Sequence, residues 1–134
     1  MYLASLTKEQ KNLFLDLSIF SMQSDGLVEP REQELIYQYC TEMNIEYRSA
    51  PNSEKAEDVL KSLKETSTES ELKKITIELV ALMYADENFA DEENALLMNL
   101  QNTFGFSSHL MGEIIFTTKH LLLSHKMLAS LIQD

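Results

Sequence analysis

Two pairs of carboxylates recur at one spacing in this chain, Asp25 with Glu32 and Asp86 with Glu93, each Glu seven residues after its Asp. Duplicated oxygen donors suit a hard divalent cation such as calcium or magnesium, which takes several of them at once. The densest cluster is Asp86, Glu87, Asp91, Glu92 and Glu93. The same side chains have a use that needs no ion. An Asp can accept from loop amides, and a Glu in the first turn of a helix complements the positive end of its dipole. An EF-hand does not fit either copy. With Asp25 at the fifth loop position, Ser21 and Gln23 take the first and third, and the second copy offers Leu82 and Tyr84 there.

The remaining reactive side chains give little. His109, His120 and His125 have no partner at the i, i+4 spacing that sets two zinc ligands on one helix face. Cys40 is the only cysteine, which rules out an intramolecular disulfide, and it reads as a small core hydrophobe rather than a nucleophile. No glycine-rich phosphate loop and no G-x-S-x-G elbow occurs, so the chain is expected not to be an enzyme. A formal net charge of -11 repels phosphate backbones and anionic lipid. Expected ligands are cations or basic protein surfaces, with no nucleic acid partner and no direct membrane insertion. The N-terminus MYLASLTKEQ lacks a signal peptide's basic start and apolar run, and the cytoplasm is the expected compartment.

The elements that would carry the carboxylates are helices. Glycine and proline are too few, at three and two, to punctuate many short strands. Thr7 with Gln10 and Thr68 with Glu71 are capping boxes, each opening a stretch of apolar residues at helical spacing. The first helix is expected over 7–24. Pro30 suits the first turn of a second, which turns Leu35, Ile36, Tyr39 and Met43 inward. Residues 44–52 read as a loop, after which Ser53 can cap a short helix burying Ala56, Val59, Leu60 and Leu63. Leu72, Ile75, Leu79, Leu82 and Met83 stripe a fourth helix, ending near Ala85. Asp91 can cap a fifth, and Gly105 can end it. Ser107 or Ser108 starts the tail, which reads as one kinked helix or as two. HLLLSHKMLASLI is apolar enough to be a core helix, and an exposed apolar patch on it would instead indicate a homodimer or a protein partner.

The carboxylate spacing belongs to a wider repeat. Asp25 to Asp86 and Glu32 to Glu93 are both shifts of 61 residues, and the same shift lays Ile19 on Val80, Val28 on Phe89, Leu35 on Leu96 and Ile45 on Phe106. Each copy is an apolar helix, an acidic turn holding one apolar plug, and a second apolar helix. SMQSDGLVEPREQELI and ALMYADENFADEENALLMNLQNTFGFS therefore resemble the tellurite-resistance TerB-like family, whose members repeat an Asp-Gly-x-apolar-x-x-x-Glu loop between helices. The likeness spans roughly 13–112. Gly26 keeps the motif's glycine, while Glu87 replaces it in the second copy, where easy access to positive φ is lost.

The resemblance implies an all-α fold. We expect a single compact bundle of about six or seven helices with two pseudo-symmetric helix-loop-helix repeats. Repeat one falls at about 7–45, a connecting helix at about 53–64, repeat two at about 70–106 and the C-terminal helices at about 108–132. It further implies an accessory protein of bacterial stress or tellurite resistance, whose partners would be other proteins, membrane-associated stress proteins among them. Its metal ligands would be Asp25, Glu32, Asp86 and Glu93, holding a calcium or magnesium ion as the one cofactor. The alternative is a metal-independent interaction module that presents its acidic face to other proteins.

Overall fold

Thr7 and Thr68 open their helices by the same exchange of hydrogen bonds. The Thr7 hydroxyl accepts from the Gln10 amide at 3.1 Å while the Gln10 side chain accepts from the Thr7 amide at 2.9 Å. Thr68 and Glu71 repeat the pattern at 3.2 and 2.8 Å. Each box satisfies two of the amides that the first turn of a helix leaves without partners. The computed structural model describes residues 2–22, 30–85 and 91–133, excepting the side chains of Arg31, Ala85, Asp91, Glu92 and Glu93.

A 3-10 turn at Leu3–Ser5 precedes six α-helices: α1 Lys8–Met22, α2 Pro30–Met43, α3 Ala56–Thr66, α4 Glu69–Ala85, α5 Asp91–Phe104 and α6 Ser108–Ile132. The described residues include no strand. The shift of 61 residues seen in the sequence holds for the elements. It carries the start of α1 onto that of α4, and both ends of α2 onto both ends of α5.

The exits of α2 and α5 match as well. Asn44 and Gly105 both have positive φ, 56° and 75°. Beyond them the amides of Ile45 and Phe106 donate back to the carbonyls of Cys40 and Gln101, at 3.0 and 3.1 Å. This is the Schellman closure, in which a left-handed residue turns the chain so that the next amide reaches a carbonyl of the last turn.

Within each half the first helix packs on the other two, α1 on α2 and α3, α4 on α5 and α6, and contacts of α1 with α4 and of α5 with α1 and α3 join the halves. Helix α1 lies at the middle. Phe14, Leu15, Leu17 and Ile19 are all fully buried, although they point to different sides of the helix, which is the mark of a helix enclosed all round. Every apolar residue assigned to the stripe of α4 is buried, as are Leu96, Leu97, Leu100 and Phe104 of α5, and on α2 Ile36 and Met43 are buried with Leu35 and Tyr39 packed against them.

Two expectations for α3 are corrected, and of the two alternatives for the tail one is found. Helix α3 begins at Ala56 rather than at about residue 53, and its N-cap position is Lys55, without a side-chain cap. Ser53 lies in a bend instead, because the Asn52 amide donates to the Asp16 carboxylate at 3.0 Å and holds the chain against α1 until the helix starts. The tail is one continuous helix of 25 residues, capped by the Ser107 hydroxyl accepting from the Leu110 amide.

That helix is a core helix only in its first half. Met111, Ile114 and Thr118 are buried, whereas Leu128 is 57%, Leu131 83% and Ile132 81% exposed. Helix length explains the difference. At 1.5 Å per residue α6 measures about 37 Å and α4, on which it packs, about 25 Å, so α6 is longer by about 12 Å and α4 cannot cover its whole length.

Candidate functional site

Of the four carboxylates singled out in the sequence, Asp25 and Asp86 lie outside the described residues. Glu32 stands in the first turn of α2, partly exposed, and Glu93 falls at the matching place in α5, its side chain not described. Among the described residues no three His, Cys, Asp or Glu side chains come together in a group able to hold a metal. What can be placed of the acidic pairs is therefore their helical frame, which is equivalent in the two halves.

Two carboxylates that sequence reasoning passed over are buried. Asp16, 2% exposed on α1, pairs with the Arg48 guanidinium and accepts the Asn52 amide. Arg48 also donates to the carbonyls of Asn12, at 2.9 Å, and Ala50, at 3.0 Å. The arginine thus pins residues 44–55 to α1, a segment that the second half lacks because α6 follows α5 almost directly. The shift that maps one half on the other puts Ile77 in the place of Asp16, so the pair is specific to this connection.

Glu78, on α4, is 5% exposed and accepts the Tyr2 amide at 2.8 Å, tying the N-terminal segment to the bundle. Burial, then the charges of Glu78 and Glu42, push the Tyr39 phenol well above its usual range, so that it stays protonated at physiological pH. Cys40 is 2% exposed, and burial pushes its thiol up despite the opposing influence of Arg48. An activated nucleophile needs the reverse shift. These groups bind segments of the fold together.

The surface feature with no such role is α6. Between Ile114 and Gln133 it has Lys119 and Lys126 and no acid, so this stretch is +2 while residues 1–113 total -12. Lys119 lies 4.8 Å above the Tyr84 ring, at the last turn of α4, and marks where α6 leaves its support. Beyond it, Leu121, Leu123, Met127, Leu128, Leu131 and Ile132 are exposed. Alongside the first half of α6 runs an open groove of about 360 Å³, walled mainly by apolar Tyr2, Ile77, Leu110, Ile114 and Leu121, with Glu113, Thr117 and Thr118 also on its wall. Leu121 belongs to both, so groove and projecting helix form one apolar surface.

The apolar character of this surface was present in the sequence, but its exposure was not, since an apolar helix alone does not announce how far its neighbour extends. No helix of the described residues is long and apolar enough to cross a membrane. Comparison with protein-family models, curated proteins and solved structures finds no match to this chain.

Proposed function

We propose that this chain is a non-enzymatic helical accessory protein of TerB-like construction, and that it works by docking protein through the distal part of α6. The observation that carries this reading is the run of large apolar side chains held in water on a well-formed helix, with Leu131 and Ile132 more than four-fifths exposed. Contiguous apolar surface of that kind marks an interaction site, and an amphipathic helix is a common docking element. Recognition then lies on α6 and not on the acidic face of the bundle. The resemblance adds a bacterial stress-response setting, tellurite resistance among its cases.

The test is photo-crosslinking in the host cell, with a photoreactive phenylalanine placed at position 128 of α6 or, as control, at position 57 of α3. Protein adducts from position 128 and none from 57 support docking by α6. Irradiation that yields no protein adduct at 128 refutes it.

A second reading is favoured by one observation: Glu32 and Glu93 are each the third residue of their helix, α2 and α5, and each lies seven residues after an Asp. In that reading Asp25, Glu32, Asp86 and Glu93 hold calcium or magnesium. Calorimetric titration of the chelator-treated protein decides it, with heat and a raised melting temperature expected at millimolar ion. Neither change would leave the carboxylates as helix-start groups only.

A further inference from the structure

We infer that the partner seated on α6 is a second copy of this chain, packed antiparallel along α6 about a two-fold axis near Leu121. The inference rests on the docking role proposed for α6 and names its occupant.

Three features select a second copy. The first is the spacing of the surface. Starting from Leu110, positions 114, 117, 121, 124, 128 and 131 follow in steps alternating between four and three, the 3.5-residue period of a helix that pairs with another helix. On this line Leu121, Leu128 and Leu131 are exposed and Leu110 is partly buried, Ile114 is buried against the bundle, and the polar positions are Thr117 and Ser124.

The second feature is fit. From Leu121 back to Leu110 and forward to Ile132 is eleven residues each way, about 16 Å of helix. The backward stretch walls the groove with Tyr2 and Ile77, and the forward stretch is the projecting, exposed end. An antiparallel partner centred on Leu121 lays its projecting end along the groove of the first copy and receives that copy's end in return. Leu121 then meets its counterpart, Leu128 lies across from Ile114, and Ile132 reaches Leu110. Such a contact is isologous and closes on itself, so it produces a dimer and not a filament.

The third feature is charge. The stretch 114–134, with Lys119 and Lys126 against Asp134, is +1 and the body over 1–113 is -12, so each end is drawn weakly to the body of the other copy. An anionic bilayer would also attract the two lysines, but it repels the body that carries them. An apolar protein surface of ordinary charge would leave the opposition of tail and body unused.

Sedimentation equilibrium and disulfide trapping test the pairing on the full chain. The wild type is expected at twice 15.4 kDa at micromolar concentration. Leu128→Glu, at an exposed seam position, should give 15.4 kDa with unchanged helicity. Leu123→Glu, exposed on the far side of α6, should remain a dimer. Leu121→Cys should form an intermolecular disulfide under mild oxidation, and Ile132→Cys should not, because antiparallel pairing brings only residues near the axis opposite themselves. A wild type that stays at monomer mass at 100 micromolar overturns the inference, as does equal disruption by Leu123→Glu, or trapping at 132 and not at 121. Crosslinks from position 128 to other proteins, combined with a monomeric wild type, would leave α6 a docking helix and remove self-pairing alone.

Discussion

Asn44 and Gly105 perform the same operation in the two halves of this protein, each taking a positive φ at the residue after a helix and letting the next amide close back on the last turn. Glycine does this without a steric cost, and asparagine is among the side chains that tolerate it. Gly105→Ala should therefore destabilise by about 1–2 kcal/mol through the backbone alone, since a Cβ there meets nothing within 4 Å. Asn44→Ala should cost a similar amount, and Asn44→Gly should not destabilise. Urea unfolding of the three variants checks this. Gly105→Ala at wild-type stability would mean that the closure contributes nothing.

Asp16 and Arg48 should respond unequally to truncation. Arg48→Ala leaves a carboxylate 2% exposed with the Asn52 amide as its remaining partner in this cluster, and a buried unpaired charge costs about 3–5 kcal/mol. Asp16→Ala leaves an arginine with its side chain 20% exposed, which water and two carbonyls can still satisfy, so the loss should be distinctly smaller. Equal losses in chemical denaturation would contradict the account of Arg48 as the group that makes Asp16 tolerable. Proteolysis within 44–55 should accelerate in both variants, because the same pair holds that segment to α1.

The two capping boxes differ in one respect, Gln10 against Glu71, and so should differ in pH response. The Thr68 amide donates to the Glu71 carboxylate and holds its pKa below the usual value. A depressed folded pKa gives stability that is full above the unfolded value, about 4.3, and is lost as pH falls through the folded one. Glu71 is partly exposed at the surface, so solvent screens the effect and the loss is small. Glu71→Gln, which copies the first half into the second, should flatten the stability curve below pH 5. If its acid limb superimposes on that of the wild type, the Thr68 box does not titrate.

The helices were legible because each level of the sequence agreed. The capping boxes at Thr7 and Thr68, the apolar stripes behind them and the glycine at 105 all marked the same boundaries, and the shift of 61 residues checked one half against the other. The missed features depend on contacts distant in sequence. Nothing near Asp16 announces that Arg48 will reach it across 32 positions, or that Asn52 will keep Ser53 out of the next helix. Leu3 and Leu6 are buried beside α2 and α4 for the same kind of reason. The reading of residues 120–132 as core failed on a single quantity, the length of α4, which a helix's own composition does not contain. The candidate carboxylates are placed by sequence as far as their helical turns.

Because α6 passes from core to solvent along one helix, its two halves should answer mutation in opposite ways. Ile114 is 8% exposed and Met111 4%, so truncating either to alanine removes packed atoms and should cost about 2–4 kcal/mol in stability. Leu128 and Leu131 stand in water at 57% and 83% exposure, and replacing either with serine in the monomer should change stability by less than about 0.5 kcal/mol, the ordinary range for surface sites. Leucines that add nothing to folding at these positions are the ones the docking proposal assigns to a partner. The comparison has to be made at nanomolar protein by fluorescence-monitored unfolding, so that association does not enter. If Leu128→Ser costs as much as Ile114→Ala there, the projecting end of α6 is part of the folded core in solution and presents no docking surface.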